Sequence, residues 1–448
     1  MDYAQVQEYL NSFVNYEHTG LPDAAAMNLD RVRGLLDSLG NPQERYRSIH
    51  IAGTKGKGST CAFIFSILRD AAYKVGLYTS PHLVDFRERI KVGYVDAQNE
   101  PKERYISEAE VCELVSDLRP YLDKIERLTF FEVMTVLAFK FFAVQGCDFA
   151  VVETGMGGTW DATNVITPMV SGLTSISFDH TRILGETLEQ IAAAKAGIIK
   201  EGGLVVSAPQ PIKAWRVITQ VCQERRARLY EVGRDFVFDV IGQDIERSLF
   251  DFRGVHGTYE QLQIKLLGFH QLVNAAVALG VIQLLKLHDV LISPMAVRRG
   301  LERTLWPGRL QIMQRHPFVI LDGAHNPAAA EALRTALAML LLPKRSILIL
   351  GVSRDKDAVG ICAQLCRQKN LVIVTQAKTP RAMPVQELEA VVRRFHHQVQ
   401  VAPTIEDALQ IARQDIGSED VILIAGSLYL VGETFAALRT VKMPRNMP

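Results

Sequence analysis

No single sign of charge dominates this 448-residue chain: 50 Lys and Arg face 49 Asp and Glu, a formal net charge of +1. That balance gives no long-range field for non-specific binding to nucleic acid or to an anionic membrane, so any bound anion must be held by a local site. Cysteine is sparse and scattered (Cys61, Cys112, Cys147, Cys222, Cys362, Cys366). Only Cys362 and Cys366 are near neighbours, at a spacing that suits one helix face better than a zinc knuckle, so small buried thiols in a reducing compartment are expected. No uncharged apolar run reaches the ~18 residues of a membrane span. The opening MDYAQVQEYLNSF lacks the basic-then-apolar layout of a secretion signal. The expectation is a cytoplasmic monomer with no nucleic-acid or membrane partner.

What is present is ordinary globular usage, 48% hydrophobic and 22% charged, over a length that predicts two or three domains at ~100–200 residues each. Strand-like runs alternate with helix-like runs, and the strand-like ones (SIHIA, VGLYTS, DFAVVE, Val170 to Ile176) are apolar throughout. Such runs fit strands buried on both faces of a parallel sheet covered by helices, which argues an α/β fold. Phe130 to Val144 reads as an amphipathic helix. Between Arg234 and Leu267 apolar and polar residues alternate, which predicts a small antiparallel section. Helices are expected from Gln271 to Leu287 and from Pro294 to Leu301. Pro307 and Gly308 in TLWPGRL mark the expected boundary between a domain at 1–305 and a second, smaller α/β domain at 306–448.

The strongest chemical signal is IHIAGTKGKGST, Ile49 to Thr60. A buried strand ends at Ala52, a glycine turn follows, and a helix is expected to start near Ser59. This layout points backbone N–H groups and a helix N-terminus at one spot, an anion cradle. Gly53, Gly56 and Gly58 let backbone approach a phosphate, and Lys57 would set its ammonium on the terminal phosphates. In VVETGMGGTWDATNVI, Glu153 ends a buried strand, at the sheet edge where ligands of open α/β folds sit, placed to hold Mg²⁺. A further strand is expected to end at Phe178, followed by Asp179 and His180. Taken singly, each acid fits a helix cap or a solvated charge equally well.

The ordered set GTKGKGST, TSPHLVDFRERI, TFFE, ETGMGGTWDATNV, DHTRILGETLEQIAAAKAGIIK, GFHQLVNAAVAL, PGRL, DGAHNP and GSLYLVGE resembles the folylpolyglutamate synthase/dihydrofolate synthase family of the Mur-ligase superfamily, collinearly from about residue 20 to the C-terminus. The resemblance implies a Mur-ligase-like central domain with a P-loop and a mostly parallel sheet, and a Rossmann-like C-terminal domain. It implies ATP on Gly53, Thr54, Gly56, Lys57, Gly58, Ser59 and Thr60, with Asn274, Arg309, Asp322 and His325 also in contact. Two Mg²⁺ ions are implied, one near Ser80 and Glu153 and one near His180, with Lys195 carbamylated. A buried lysine favours its neutral amine, which CO₂ converts to an anionic oxygen donor. Lys57, Lys195, Glu153 and His180 are the implied catalytic set. The pterin-bearing substrate is implied to touch Met27, Asn28, Leu29, Pro81, His82, Thr129, Phe130, Phe131, Glu132, Trp160, Asp161 and Ala162. Two positions depart from the bacterial pattern: Lys55 replaces Asn, and Thr159 replaces the Arg of Gly-Gly-Arg-Leu-Asp.

The reaction so implied joins L-glutamate to the γ-carboxylate of a folate, or to dihydropteroate. ATP phosphorylates the carboxylate, and the amine displaces phosphate from the acyl phosphate. Two alternatives stand beside it: another Mur-type amino-acid ligase, and a nucleotide-binding regulator without ligase activity.

Overall fold

The computed structural model describes residues 1–16, 28–341, 344–414 and 416–440; Met27 lies outside them. The first sheet has eight strands: β1 (Arg47–Ala52), β2 (Val75–Tyr78), β3 (Ile90–Val95), β4 (Pro101–Tyr105), β5 (Phe149–Glu153), β6 (Val170–Leu173), β7 (Leu204–Ser207) and β8 (Arg228–Glu231), in the order β4-β3-β2-β5-β1-β6-β7-β8. All pairs are parallel except β2–β3 and β3–β4. The central strands β1, β5 and β6 are buried along almost their whole length, which is why they read as unbroken apolar runs.

The helix Lys57–Asp70 lies on one face of this sheet and packs against the helices Phe269–Leu284 and Pro294–Arg303. Its contact with the latter is close because position 300 is glycine: a Cβ there would stand 2.4 Å from Ile67 Cα. The apolar stretch Phe269–His288 is long enough by composition to cross a membrane, but most of it is buried inside the molecule. On the other face, the helix Phe130–Val144 is covered by the helices Tyr3–Asn11, Leu29–Ser38 and Glu108–Leu122. It is therefore buried on most sides, and the amphipathic reading of its sequence was too narrow.

The expected antiparallel section is a three-stranded sheet, β9 (Val237–Gln243), β10 (Ser248–Gly254) and β11 (Gly257–Ile264). The last sheet has six strands: β12 (Gln311–Arg315), β13 (Phe318–Leu321), β14 (Ser346–Leu350), β15 (Leu371–Val374), β16 (Val399–Val401) and β17 (Val421–Ala425), in the order β12-β13-β17-β14-β15-β16. Only β12–β13 is antiparallel.

Several expected boundaries move. The helix after the glycine turn starts at Lys57, not Ser59. The long helix runs from Phe269 to Leu284. The strand expected to reach Phe178 ends at Leu173. Beyond it, Ser175 O accepts from the Thr54 and Lys55 amides, and the Ile176 amide donates to Gln210 Oε1. These residues therefore leave the sheet to brace the glycine turn, and Phe178 stands exposed.

Candidate active site

The neighbouring strands β2, β5, β1 and β6 run parallel, so their carboxyl ends deliver Ser80, Glu153, the Gly53–Ser59 turn and the Asp179–His180 loop to one edge. In the second sheet β13, β17, β14 and β15 do the same with Asp322 and His325, Ser427, Lys356 and Arg381. Two cavities lie between these edges, of about 520 Å³ and about 250 Å³. They share the walls Pro81, Gly155, Met156, His180, His325 and Leu428.

The larger cavity is lined by the glycine turn. Gly56 sits at φ +87°, a conformation that favours glycine, and a Cβ there would stand 2.1 Å from Asn274 Oδ1. A Cβ on Gly58 would strike the Trp306 ring at 2.8 Å, so the segment leading into the second sheet rests on the turn. Asn274 is oriented by Gln271, whose Oε1 accepts from its Nδ2 at 3.0 Å. Asp322 accepts from the Leu310 and Ala324 amides at 2.7 and 2.8 Å.

Lys57 Nζ lies 3.7 Å from Glu153 Oε1, and the Ser80 amide donates to Glu153 Oε2 at 3.3 Å. Burial pushes the Glu153 carboxyl above its ordinary range, against the pull of Lys57 and the Ser80 amide. Lys195 is buried and donates to Gly53 O at 2.8 Å; burial, aided by the charge of Lys57, lowers it to about 7. Burial, then Lys356, lowers His180 to about 3, and its buried Nδ1 has no hydrogen-bond partner. A buried carboxylate short of donors, an orphaned imidazole nitrogen and a lysine inclined to its neutral form fit divalent cations. Among the described residues no three His, Cys, Asp or Glu side chains cluster to hold a metal alone.

Of the residues expected on the nucleotide, all but Thr60 line the larger cavity. Thr60 is buried one turn into the helix, with its hydroxyl toward Asn274 O. On the smaller cavity the structure brings together Asn28, Pro81, Thr129, Phe131, Glu132, Trp160, Asp161 and Ala162. Three expected residues do not line it. Leu29 and Phe130 are buried in the apolar core, and His82 Nδ1 accepts from Arg89 Nε at 2.9 Å, supporting its loop. Asp161 accepts from the Met156 and Thr163 amides at 2.8 and 3.0 Å; burial pushes its carboxyl up against these donors. Thr159 lines neither cavity. Its amide and hydroxyl both donate to Ala194 O, and it rests on Gly197, so it seats the glycine loop on the helix that holds Lys195.

The sequence reading gave no role to the bridge between the two sheets. Asp179 accepts from Lys356 Nζ at 2.6 Å and from Asn326 Nδ2 at 3.2 Å, with His325 Nε2 at 3.7 Å. Burial opposes its ionisation, but the nearby His325 and His180 imidazoles and the Lys356 ammonium hold the carboxyl far below the usual range. Arg381, paired with Asp355 at 2.5 Å, lines the smaller cavity with Ser427 and Tyr429. Lys55 lines the larger one, where burial lowers it while Glu331 and Asp179 raise it. The Gln271–Asn274 pair had a readable signal: two polar side chains three apart on an otherwise apolar helix face the same way and need each other.

Burial lowers His50 to about 3 and His270 to about 4, from 6.5. Below pH 6.5 the unfolded chain therefore binds protons that the native state refuses. Stability is present above that pH and is lost as pH falls toward 4, by up to about 1.4 kcal/mol per pH unit for each histidine. The urea midpoint should fall between pH 7 and pH 5; an unchanged midpoint would contradict the buried neutral histidines.

Two family models match the chain: the Mur ligase middle domain over residues 51–282, and the Mur ligase glutamate ligase domain over residues 308–428. A Bacillus subtilis dihydrofolate synthase/folylpolyglutamate synthase is 34% identical over 425 residues, covering 93% of this chain and 96% of the relative. The structure of Mycobacterium tuberculosis folylpolyglutamate synthase complexed with ADP superposes with a TM-score of 0.86 at 32% identity, covering 97% of this chain and 98% of that one. Escherichia coli FolC in complex with DHPP and ADP gives a TM-score of 0.86 at 30% identity, covering 99% of each.

Proposed function

This chain belongs to the folylpolyglutamate synthase/dihydrofolate synthase family of Mur ligases, and on that premise we propose how its two cavities divide the work of an ATP-dependent ligase that adds L-glutamate to folates or dihydropteroate. We take residues 1–305 as the ATP-binding domain and 306–448 as the glutamate-ligase domain. ATP occupies the larger cavity, its phosphates on the glycine turn and Lys57, with Asn274, Arg309, Asp322 and His325 closing on it. The acceptor occupies the smaller cavity, its flat heterocycle against Phe131 and Trp160. Incoming glutamate lies on the opposite wall, where Lys356, Arg381, Ser427 and Tyr429 offer the cations and hydroxyls that suit two carboxylates.

The observation that supports this most is the shared wall, which holds His180 and His325: a γ-phosphate held in one cavity and a carboxylate held in the other would meet beside them. The acceptor carboxylate attacks the γ-phosphorus and ADP leaves. The neutral amine of glutamate then attacks the acyl carbon of the acyl phosphate, inorganic phosphate leaves with the bonding electrons, and the proton lost by the nitrogen goes to the departing phosphate. Phosphorylation removes the charge that repels the amine and replaces oxide with a competent leaving group. The protein's part is positioning and charge stabilisation by Lys57 and the turn amides.

Two Mg²⁺ ions fit, one at Ser80 and Glu153, the other at His180 and a Lys195 carbamate. Divalent cations there would screen charge on the transferring phosphoryl group. A carbamate keeps one N–H, so Lys195 retains a donor for Gly53 O. The six free cysteines suit the reducing cytoplasm that we propose as its setting, with the monomer as the working unit.

ADP release with ATP, Mg²⁺ and glutamate should require a folate acceptor; tetrahydrofolate and dihydropteroate tested in turn define the range. Release driven only by another carboxylate would favour a different Mur-type ligase. Nucleotide binding without any acceptor-stimulated release would favour a regulator.

A further inference from the structure

We propose that His50, on the central strand and outside both cavities, is a positioning residue for the acceptor: through Thr163 it holds Asp161 and the loop that divides the two cavities. The proposal rests on the reading above that the smaller cavity takes the acceptor.

His50 is 0% exposed, between Ile49 and Ile51 of β1. Its Nε2 lies 2.8 Å from Thr163 Oγ1, and that hydroxyl donates to Asp161 Oδ1. The Thr163 amide donates to the same oxygen at 3.0 Å, and Asp161 Oδ2 accepts from the Met156 amide at 2.8 Å. The chain thus runs from the core of the sheet to Met156, which lines both cavities, and to Trp160 and Asp161, which line the smaller one.

Donor and acceptor counting fixes its direction. Thr163 has one hydroxyl hydrogen, and both oxygens of Asp161 already accept from amides, so that hydrogen goes to Asp161 Oδ1 and Thr163 must accept from His50. Nε2 therefore carries the imidazole proton and Nδ1 does not. Burial, with the charge of Lys200, keeps the ring neutral to about pH 3, so the donor persists at any working pH. Nδ1 is left buried without a hydrogen-bond partner, a cost of ~1–3 kcal/mol that an apolar residue would avoid. Packing alone does not account for a histidine on this strand; its donated hydrogen bond does.

The test compares T163V and H50L with T163S and H50Q, which keep the hydroxyl and a neutral N–H donor. T163V and H50L should raise the acceptor KM by about five- to tenfold, the size of one lost buried hydrogen bond, with the ATP KM moved by less than about twofold. T163S and H50Q should return toward the wild-type KM. Amide exchange across residues 154–161 should quicken in T163V. An unchanged acceptor KM, or an equal rise in both KM values, overturns the proposal. If H50L fails to fold, the T163V and T163S pair decides. If the wild-type chain turns over no folate acceptor, the reading of the cavity fails separately; exchange at Met156 in T163V then decides the relay, with faster exchange supporting it and unchanged exchange overturning it.

Discussion

Replacing Lys57 with methionine is expected to lower turnover by about three orders of magnitude, the scale of losing one preorganised charge at a reacting group. Lys57 is the first residue of its helix, so the segment that forms the turn also fixes the ammonium. Its side chain is 15% exposed and stands 3.7 Å from Glu153, so solvent screens it little and its charge serves twice. In the proposed mechanism it faces the transferring phosphoryl group, and its charge opposes the upward push that burial gives the Glu153 carboxyl. K57M removes both effects, so ADP binding should weaken as well as turnover. K57R keeps the charge but not the shape of a compact ammonium, and should recover activity only in part. Turnover and ADP affinity measured together check this; turnover of K57M within tenfold of wild type would contradict it.

The second large effect is expected at Asp179. Its carboxylate and the Lys356 ammonium are 8% and 9% exposed, and they join the loop after β6 to the loop after β14. Removing one member of a buried pair leaves the other charged and unpaired, at a cost of about 3–5 kcal/mol. That cost falls on the junction where the cavities meet, so D179A should lose roughly two to three orders of magnitude in turnover. K356M should lose comparable activity, and the double variant little more than either alone, because the two groups act as one unit. Additive losses in this cycle would show that Asp179 and Lys356 act independently.

The sequence was most readable where one strand feeds one turn. The runs at Ser48–Ala52 and Phe149–Glu153 announced buried parallel strands, and the glycines after the first announced an anion cradle, because both signals are local. It was least readable across the two sheets. Nothing near Asp179 points to Lys356, which is 177 residues away, and the pairing exists only because two sheets present their carboxyl edges to each other. The end of β6 was misplaced for a related reason: Ser175 and Ile176 are as strand-like as Val170, yet their backbone partners are the turn amides and a glutamine side chain. Phe130 and Phe131 look equivalent in sequence. Helical geometry sends the first into the core and the second to the cavity.

The most direct measurement follows one oxygen. A folate acceptor labelled with ¹⁸O in its γ-carboxylate, turned over with ATP and glutamate, should release inorganic phosphate bearing one ¹⁸O for each amide bond formed. Unlabelled phosphate, alongside amide product, would contradict phosphorylation of the acceptor and with it the joint use of the two cavities.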